Sequence, residues 1–151
     1  MKLNEAKDLA ISLMEKHGIL QKGWKFEFDN AKRRFGCCKY GLKRITLSVY
    51  LTEINDFNNV KNTILHEIAH ALCPKQGHNH VWRSKAIEIG CDGQRCYDSD
   101  KVETIQGNYI ANCKCCGKQH KRFRKPTHSN SCGHCSGGRY NEVYKLNWEK
   151  V

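Results

Sequence analysis

The sequence predicts an α+β protein in two parts: helices packed on a small three-stranded sheet over residues 1–100, then a small β-rich, cysteine-stapled module over residues 101–151. Three observations predict this. Apolar residues recur at helical spacing in two long segments, one beginning at Leu3 and one running from Val60 to Leu72. Between them lie three short runs rich in aromatic and β-branched residues. In the last third the apolar residues thin out and two Cys-x-x-Cys pairs appear.

The elements follow in order. Leu3 to Leu20 reads as a helix whose buried face is Leu3, Ala6, Leu9, Ala10, Leu13 and Met14, with Gly18 marking its end. Trp24, Phe26 and Phe28 alternate with charged residues, the pattern of a half-buried strand. Asn30 to Lys32 is a turn. Arg33 to Tyr40 is a second strand, with Gly36 permitting a bulge or a close approach, and Lys43 to Val49 is a third. Leu51 to Asp56 begins a helical layer, Asn58 to Cys73 continues it until Pro74, and Val81 to Ile89 adds a further helix with Trp82, Ala86 and Ile89 inward. Gly90 to Asp100 reads as loop. Short strands and turns around cysteines begin near Tyr109.

Within the central helix stands His66-Glu67-Ile68-Ala69-His70. Residues i and i+4 share a helix face, so both imidazoles can reach one ion. Glu67, beside the first, can take a proton from water activated by that ion. This is the zincin arrangement, and it predicts a zinc metalloendopeptidase with Glu67 as general base. Two histidines and a carboxylate on an apolar helix are costly to bury without a metal. A catalytic zinc takes three protein ligands and keeps one position open. The metzincin continuation fails, because Cys73 and Gln76 stand where it needs Gly and His. Glu88 on the next helix, and His78 and His80 in the loop after Gly77, remain as candidates for the third ligand.

These segments resemble the SprT-like (Spartan-type) metalloproteases. The likeness rests on Leu65 to Ala71, on Gly77-His78-Asn79-His80-Val81-Trp82, and on an N-terminal half with Trp24-Lys25-Phe26, Gly36-Cys37 and Ile45-Thr46-Leu47-Ser48 in the expected places. The resemblance implies a zincin-like minimal protease domain with His78 as third zinc ligand. It also implies substrates that are proteins bound or crosslinked to DNA. The chain departs from the family at Asn79-His80, where Gly-Pro is frequent, which leaves His80 as a competitor.

Cys113-x-x-Cys116-Gly117 and Cys132-Gly133-x-Cys135 form two knuckles at the separation of a structural four-cysteine zinc ribbon. Such a ribbon commonly follows the protease domain in SprT-like proteins. Cys115 competes for the register, and Gly117 favours Cys116. Cys37, Cys38, Cys73, Cys91 and Cys96 lack a complete ligand spacing. The predicted cofactor is therefore Zn²⁺ at two sites, one catalytic and one structural.

Charge points to a partner. The net charge is +11, and it is uneven: 16 Lys+Arg against 12 Asp+Glu in residues 1–100, but 10 against 3 in residues 101–151. A basic tail of that density favours a polyanion. Between the knuckles Lys118, Lys121, Arg122, Arg124 and Lys125 suit phosphates, and Phe123 suits stacking on an unpaired base. Single-stranded or non-specific DNA is the expected partner. No apolar run spans a membrane, and the N-terminus lacks a signal core. With cysteines at metal-ligand spacing, the expectation is a cytoplasmic monomer, associated with the nucleoid or DNA, or nuclear in a eukaryote. Two other classes are weighed: a non-enzymatic zinc-stabilised DNA-binding module, and a zinc nuclease. The nuclease usually needs two metals or more carboxylates than His66, Glu67 and His70 provide.

Overall fold

The computed structural model describes residues 1–151. It divides into two compact units, Met1–Ile105 and Gln106–Val151. The break falls after Ile105 rather than after Asp100. Val102 is buried in the first unit's core and Ile105 packs against it. The carbonyls of Lys101 and Glu103 accept hydrogen bonds from Asn59 and Asn55, both at 2.8 Å.

In the first unit, α1 (Leu3–Lys16) buries Ala6, Ala10, Leu13 and Met14. It ends before the expected Leu20 because the chain closes on itself: the Ile19 N–H donates to the Met14 carbonyl at 3.0 Å. That six-residue closure is a Schellman turn, and it turns Ile19 inward, where it is fully buried. The sheet comprises β1 (Lys25–Asp29), β2 (Gly36–Lys39) and β3 (Arg44–Ser48), in the order β1-β3-β2. β3 runs parallel to β1, with Phe26 opposite Ile45, and antiparallel to β2, with Gly36 opposite Leu47. β2 is shorter than the expected Arg33–Tyr40 because the preceding residues form a tied turn. The Asp29 carboxylate accepts from the Ala31 N–H (3.0 Å), the Thr46 hydroxyl (2.7 Å) and Arg34 (2.5 Å). The Ser48 hydroxyl donates to the Ala31 carbonyl.

Three helices follow, each with a side-chain N-cap. Ser48 caps α2 (Val49–Ile54), Asp56 caps α3 (Phe57–Leu72) and Asn79 caps α4 (His80–Glu88). The stripe Val60, Ile64, Leu65, Ile68 and Ala69 drives α3 into the core. There it packs on α1, α4, β2 and β3. Each large aliphatic of the stripe contributes roughly 1.5–3 kcal/mol through burial. The packing fixes α3 in rotation, which sets where its histidines and its glutamate point.

The second unit is a three-stranded antiparallel sheet, β4 (Tyr109–Asn112), β5 (Gln119–Arg122) and β6 (Glu149–Lys150), in the order β5-β4-β6. A short helix, α5 (Gly133–Ser136), carries Cys135. Its buried core is Ala111, Cys113, Cys132 and Leu146, with Cys135, Tyr144 and Trp148 packed around.

Candidate metal centre

α3 presents His66 and His70 one turn apart on its half-buried flank. His78 reaches them from the loop ahead of α4, where the Asn79 side chain caps Val81 and Trp82 N–H groups and so fixes the chain beside it. The three Nε2 atoms form a near-regular triangle: 3.3 Å between His66 and His70, 3.1 Å from each to His78. His80 is exposed as the first residue of α4 and lies outside the triangle. Glu88 is also outside it and pairs with Lys85 at 2.6 Å.

This triangle is chemically incomplete on its own. A neutral imidazole nitrogen is either a donor or an acceptor. In a ring of three nitrogens at least one contact must therefore set like against like. Burial, then the neighbouring rings, push His66 and His70 down to about 4; burial and Arg95 lower His78. All three are held neutral at pH 7, and a cation among them would remove the conflict. Zinc at about 2.0–2.1 Å from each nitrogen in tetrahedral geometry implies nitrogen–nitrogen edges of about 3.3–3.4 Å. The observed spacing is close to that.

Neighbouring groups orient the rings. The Gln94 backbone hydrogen-bonds His66 in the sense that favours a ring N–H, which leaves Nε2 for the metal. The buried Trp82 ring lies 4.7, 5.1 and 4.6 Å from those of His66, His70 and His78, stacking on His70 at 25°.

Glu67 packs against β2 and lines both clefts together with His66. Gly36 makes room for it: a Cβ there would sit 2.8 Å from Glu67 Oε1 and 2.9 Å from both Glu67 Cγ and Thr63 Cγ2. The close approach anticipated at Gly36 is thus an approach to the carboxylate. Burial raises Glu67 to about 8, against the opposing pull of Arg34 and the Cys38 backbone N–H. Two clefts open beside the centre. One, of about 460 Å³, runs past Arg34, Asp92 and Tyr97; the other runs past Tyr40, His70 and His78. The first lies within the usual size of a ligand site.

The second unit holds a second candidate centre. Cys113, Cys116, Cys132 and Cys135 converge, with Cys113–Cys135 and Cys116–Cys132 sulfurs both 3.8 Å apart. A disulfide needs about 2.05 Å. Tetrahedral zinc with bonds of about 2.3 Å gives sulfur edges of about 3.8 Å. Cys115 is exposed and stands outside the four. Gly117 closes the first knuckle at φ 70°, its N–H bonded to the Cys113 carbonyl at 2.9 Å. Backbone N–H groups of Cys116 and Cys115 help lower the Cys113 thiol to about 7, while hydrogen bonding to Cys116 and burial raise that of Cys135. Cys91 is buried and Cys96 exposed, and neither joins a ligand cluster.

The predicted polyanion contacts are scattered by comparison. Lys118, Lys121, Arg122, Arg124 and Lys125 are exposed on and around β5, and Phe123 is half-buried. Lys121 bonds the Gln106 side chain at 2.8 Å, and the Arg122 guanidinium lies 5.2 Å over the Trp148 ring. The sequence reading missed Gln94, Arg95, Tyr40 and Arg34 as neighbours of the centre. No local pattern marks them; they reach it through loops and a strand edge.

The SprT-like family model matches residues 9–102. No curated protein gives a significant match. Among solved structures the chain is similar to the metallopeptidase zymogen jannalysin of Methanocaldococcus jannaschii, at 16% identity over 64% of this chain and 85% of that one, with a TM-score of 0.49.

Proposed function

The chain belongs to the SprT-like family, and on that footing we propose that it is a zinc-dependent metalloprotease acting at the His66–His70–His78 centre. The observation that carries the reading is the set of three facing Nε2 atoms with a buried carboxylate on the same helix. Three side-chain donors meet there, whereas four meet at the cysteine centre. Three suits a catalytic ion with a place for water, four a structural one.

Bound zinc supplies Lewis acidity, bringing water toward ionisation at neutral pH and polarising a carbonyl. The protein's own part is to hold, orient and move protons. His66, His70 and His78 offer neutral nitrogens from one packed helix and one capped loop. Glu67 accepts the proton of the attacking water at its carboxylate and delivers it to the leaving amine. Burial already brings Glu67 to about 8. A cation held by the adjacent histidines favours its ionised form, placing it in the range where a base works at neutral pH. Gly36 keeps the carboxylate on the cleft side.

We extend the proposal to the substrate: proteins bound or crosslinked to DNA, brought in by the basic four-cysteine ribbon. Its support is the excess of cations over residues 101–151 and the exposed Lys118, Lys121, Arg124 and Lys125. No helix is long and apolar enough to cross a membrane. The test incubates a DNA-crosslinked protein with the zinc-loaded chain, with and without single-stranded DNA, alongside Glu67→Gln, with metal analysis of both. Cleavage lost in Glu67→Gln and two zinc ions per chain are expected. Nuclease activity without proteolysis would overturn the reading.

A further inference from the structure

The two clefts beside the centre share four residues: Gly36, His66, Glu67 and Arg95. His66 is a ligand, Glu67 the base, and Gly36 the space the base occupies. Arg95 has no part yet. It stands where both clefts meet, at the place a peptide crossing from one to the other must pass.

Its position is built. The segment Cys91–Arg95 is irregular, but Cys91, Asp92 and Gln94 are each tied by a backbone N–H bond. The Cys91 N–H bonds the Ala86 carbonyl and the Asp92 N–H bonds Asn62 Oδ1 on α3, both at 2.9 Å. The Gln94 N–H bonds Asp92 Oδ1 at 2.9 Å, and the Gln94 backbone meets the His66 ring. The residue before Arg95 is therefore anchored on a metal ligand. The guanidinium itself is exposed and is not consumed. The five ion pairs of the chain leave it out, although Arg34 in the same cleft is bound to Asp29. Arg95 also lines the cleft that holds His78, which Arg34 does not. An unpaired planar cation next to an anchored residue, in both clefts, is placed to meet charge that develops during a reaction.

We propose that Arg95 is a catalytic residue, donating hydrogen bonds to the scissile carbonyl oxygen as that oxygen becomes an oxyanion. The water oxygen bonds to the carbonyl carbon, and the carbonyl π pair moves onto its oxygen, facing Arg95. Glu67 takes the water proton and returns it to the amine nitrogen as the C–N bond breaks. This role rests on the protease reading above. It asks more of the cleft than attraction of acidic side chains, which would act on ground-state binding alone.

The test compares wild type, Arg95→Ala, Arg95→Lys and Tyr40→Phe, because Tyr40 borders only the second cleft. Zinc content is measured first. Then kcat and KM are taken on a fluorogenic peptide, and calorimetry gives the affinity for a phosphinic peptide, whose tetrahedral anion mimics the oxyanion. Arg95→Ala is expected to lower kcat about 100-fold with KM nearly unchanged. Phosphinate affinity should fall in proportion, zinc content should hold, and Arg95→Lys should recover part of the loss. Unchanged kcat and phosphinate affinity would overturn the proposal. So would a rise in KM confined to acidic peptides, a loss seen only in Tyr40→Phe, or zinc loss in both Arg95 variants. Absence of hydrolysis by wild type removes the protease reading and this role together; hydrolysis that Arg95→Ala leaves intact removes this role alone.

Discussion

Glu67 is held by shape more than by charge. The nearest constraint is the missing side chain of Gly36, where a Cβ would fall 2.8 Å from Oε1. Gly36→Ala must therefore displace the carboxylate or part α3 from β2. We expect a stability cost of about 1–3 kcal/mol, the usual range for overpacking. Turnover should fall at least tenfold while zinc is retained, checked by melting, peptide kinetics and metal analysis on one preparation. Glu67→Gln keeps the shape and removes the proton acceptor. It should bind zinc as wild type does and lose about 100- to 10,000-fold in kcat; persistent proteolysis excludes Glu67 as the base. The same residues predict the pH response of the metal-free protein. Folding lowers His66 and His70 from 6.5 to about 4 and raises Glu67 from 4.5 to about 8. Between 8 and 6.5 the folded state binds the extra proton, at Glu67, so stability rises as pH falls. Between 6.5 and 4.5 the unfolded state binds two protons at the histidines against one at folded Glu67, so stability falls with further acid. The chelated first unit should be most stable near pH 6.5, measured as its melting temperature across pH 4.5–8; a steady rise to pH 8 refutes the assignment. The motif was legible because i and i+4 meet on any helix. Arg95 was not, because only the fold of Cys91–Cys96 over α3 brings it to the centre.

Among the elements, the helices were readable and the sheet order was not. Apolar spacing marks α3 to within a residue at each end, since its stripe is continuous and Asp56 and Pro74 bracket it. The extension of α1 to Leu20 failed for a physical reason. Ile19 is apolar and at core depth, but it arrives there through the closure on Met14, and periodicity cannot tell a buried helical residue from a buried turn. The parallel pairing of β1 with β3 has no local signature, because it depends on where β2 goes. The element most exposed to test is the start of α4. His78 is one residue before Asn79, whose Oδ1 accepts from the Val81 and Trp82 N–H groups at 3.0 and 3.2 Å. Asn79→Ala should cost about 1 kcal/mol as a lost cap. Because the cap lies beside His78 and seats Trp82 on the histidines, zinc affinity should drop more than stability does. Competition with a chelating dye measures the first and thermal melting the second; a loss of stability with unchanged zinc affinity would show the loop is held by other contacts.

At the scale of the chain, the two units differ in what holds them. The first has a continuous apolar core drawn from four helices and three strands. The second has a buried core of four residues, two of them cysteines. That is too little apolar surface to order a segment of its length, which predicts that its folding depends on an ion held by the four thiolates. The first unit runs to Ile105, beyond the step in charge at residue 101, because Val102 and Ile105 are apolar residues that join its core. Cys132→Ser removes one of the four converging thiols, itself fully buried. One zinc of two should be lost, residues 106–151 should exchange their amide hydrogens rapidly, and the first unit should keep its protection. Peptide turnover should be within about twofold of wild type, since His66, Glu67, His70 and His78 all lie in residues 1–105. Affinity for single-stranded DNA should weaken, and its dependence on salt should flatten as cations leave their fixed positions on β5. Hydrogen exchange, metal analysis and DNA titration at two salt concentrations separate these effects. Loss of both metals together, with collapse of peptide turnover, would mean that the units fold as one cooperative body and that the ribbon is part of the protease.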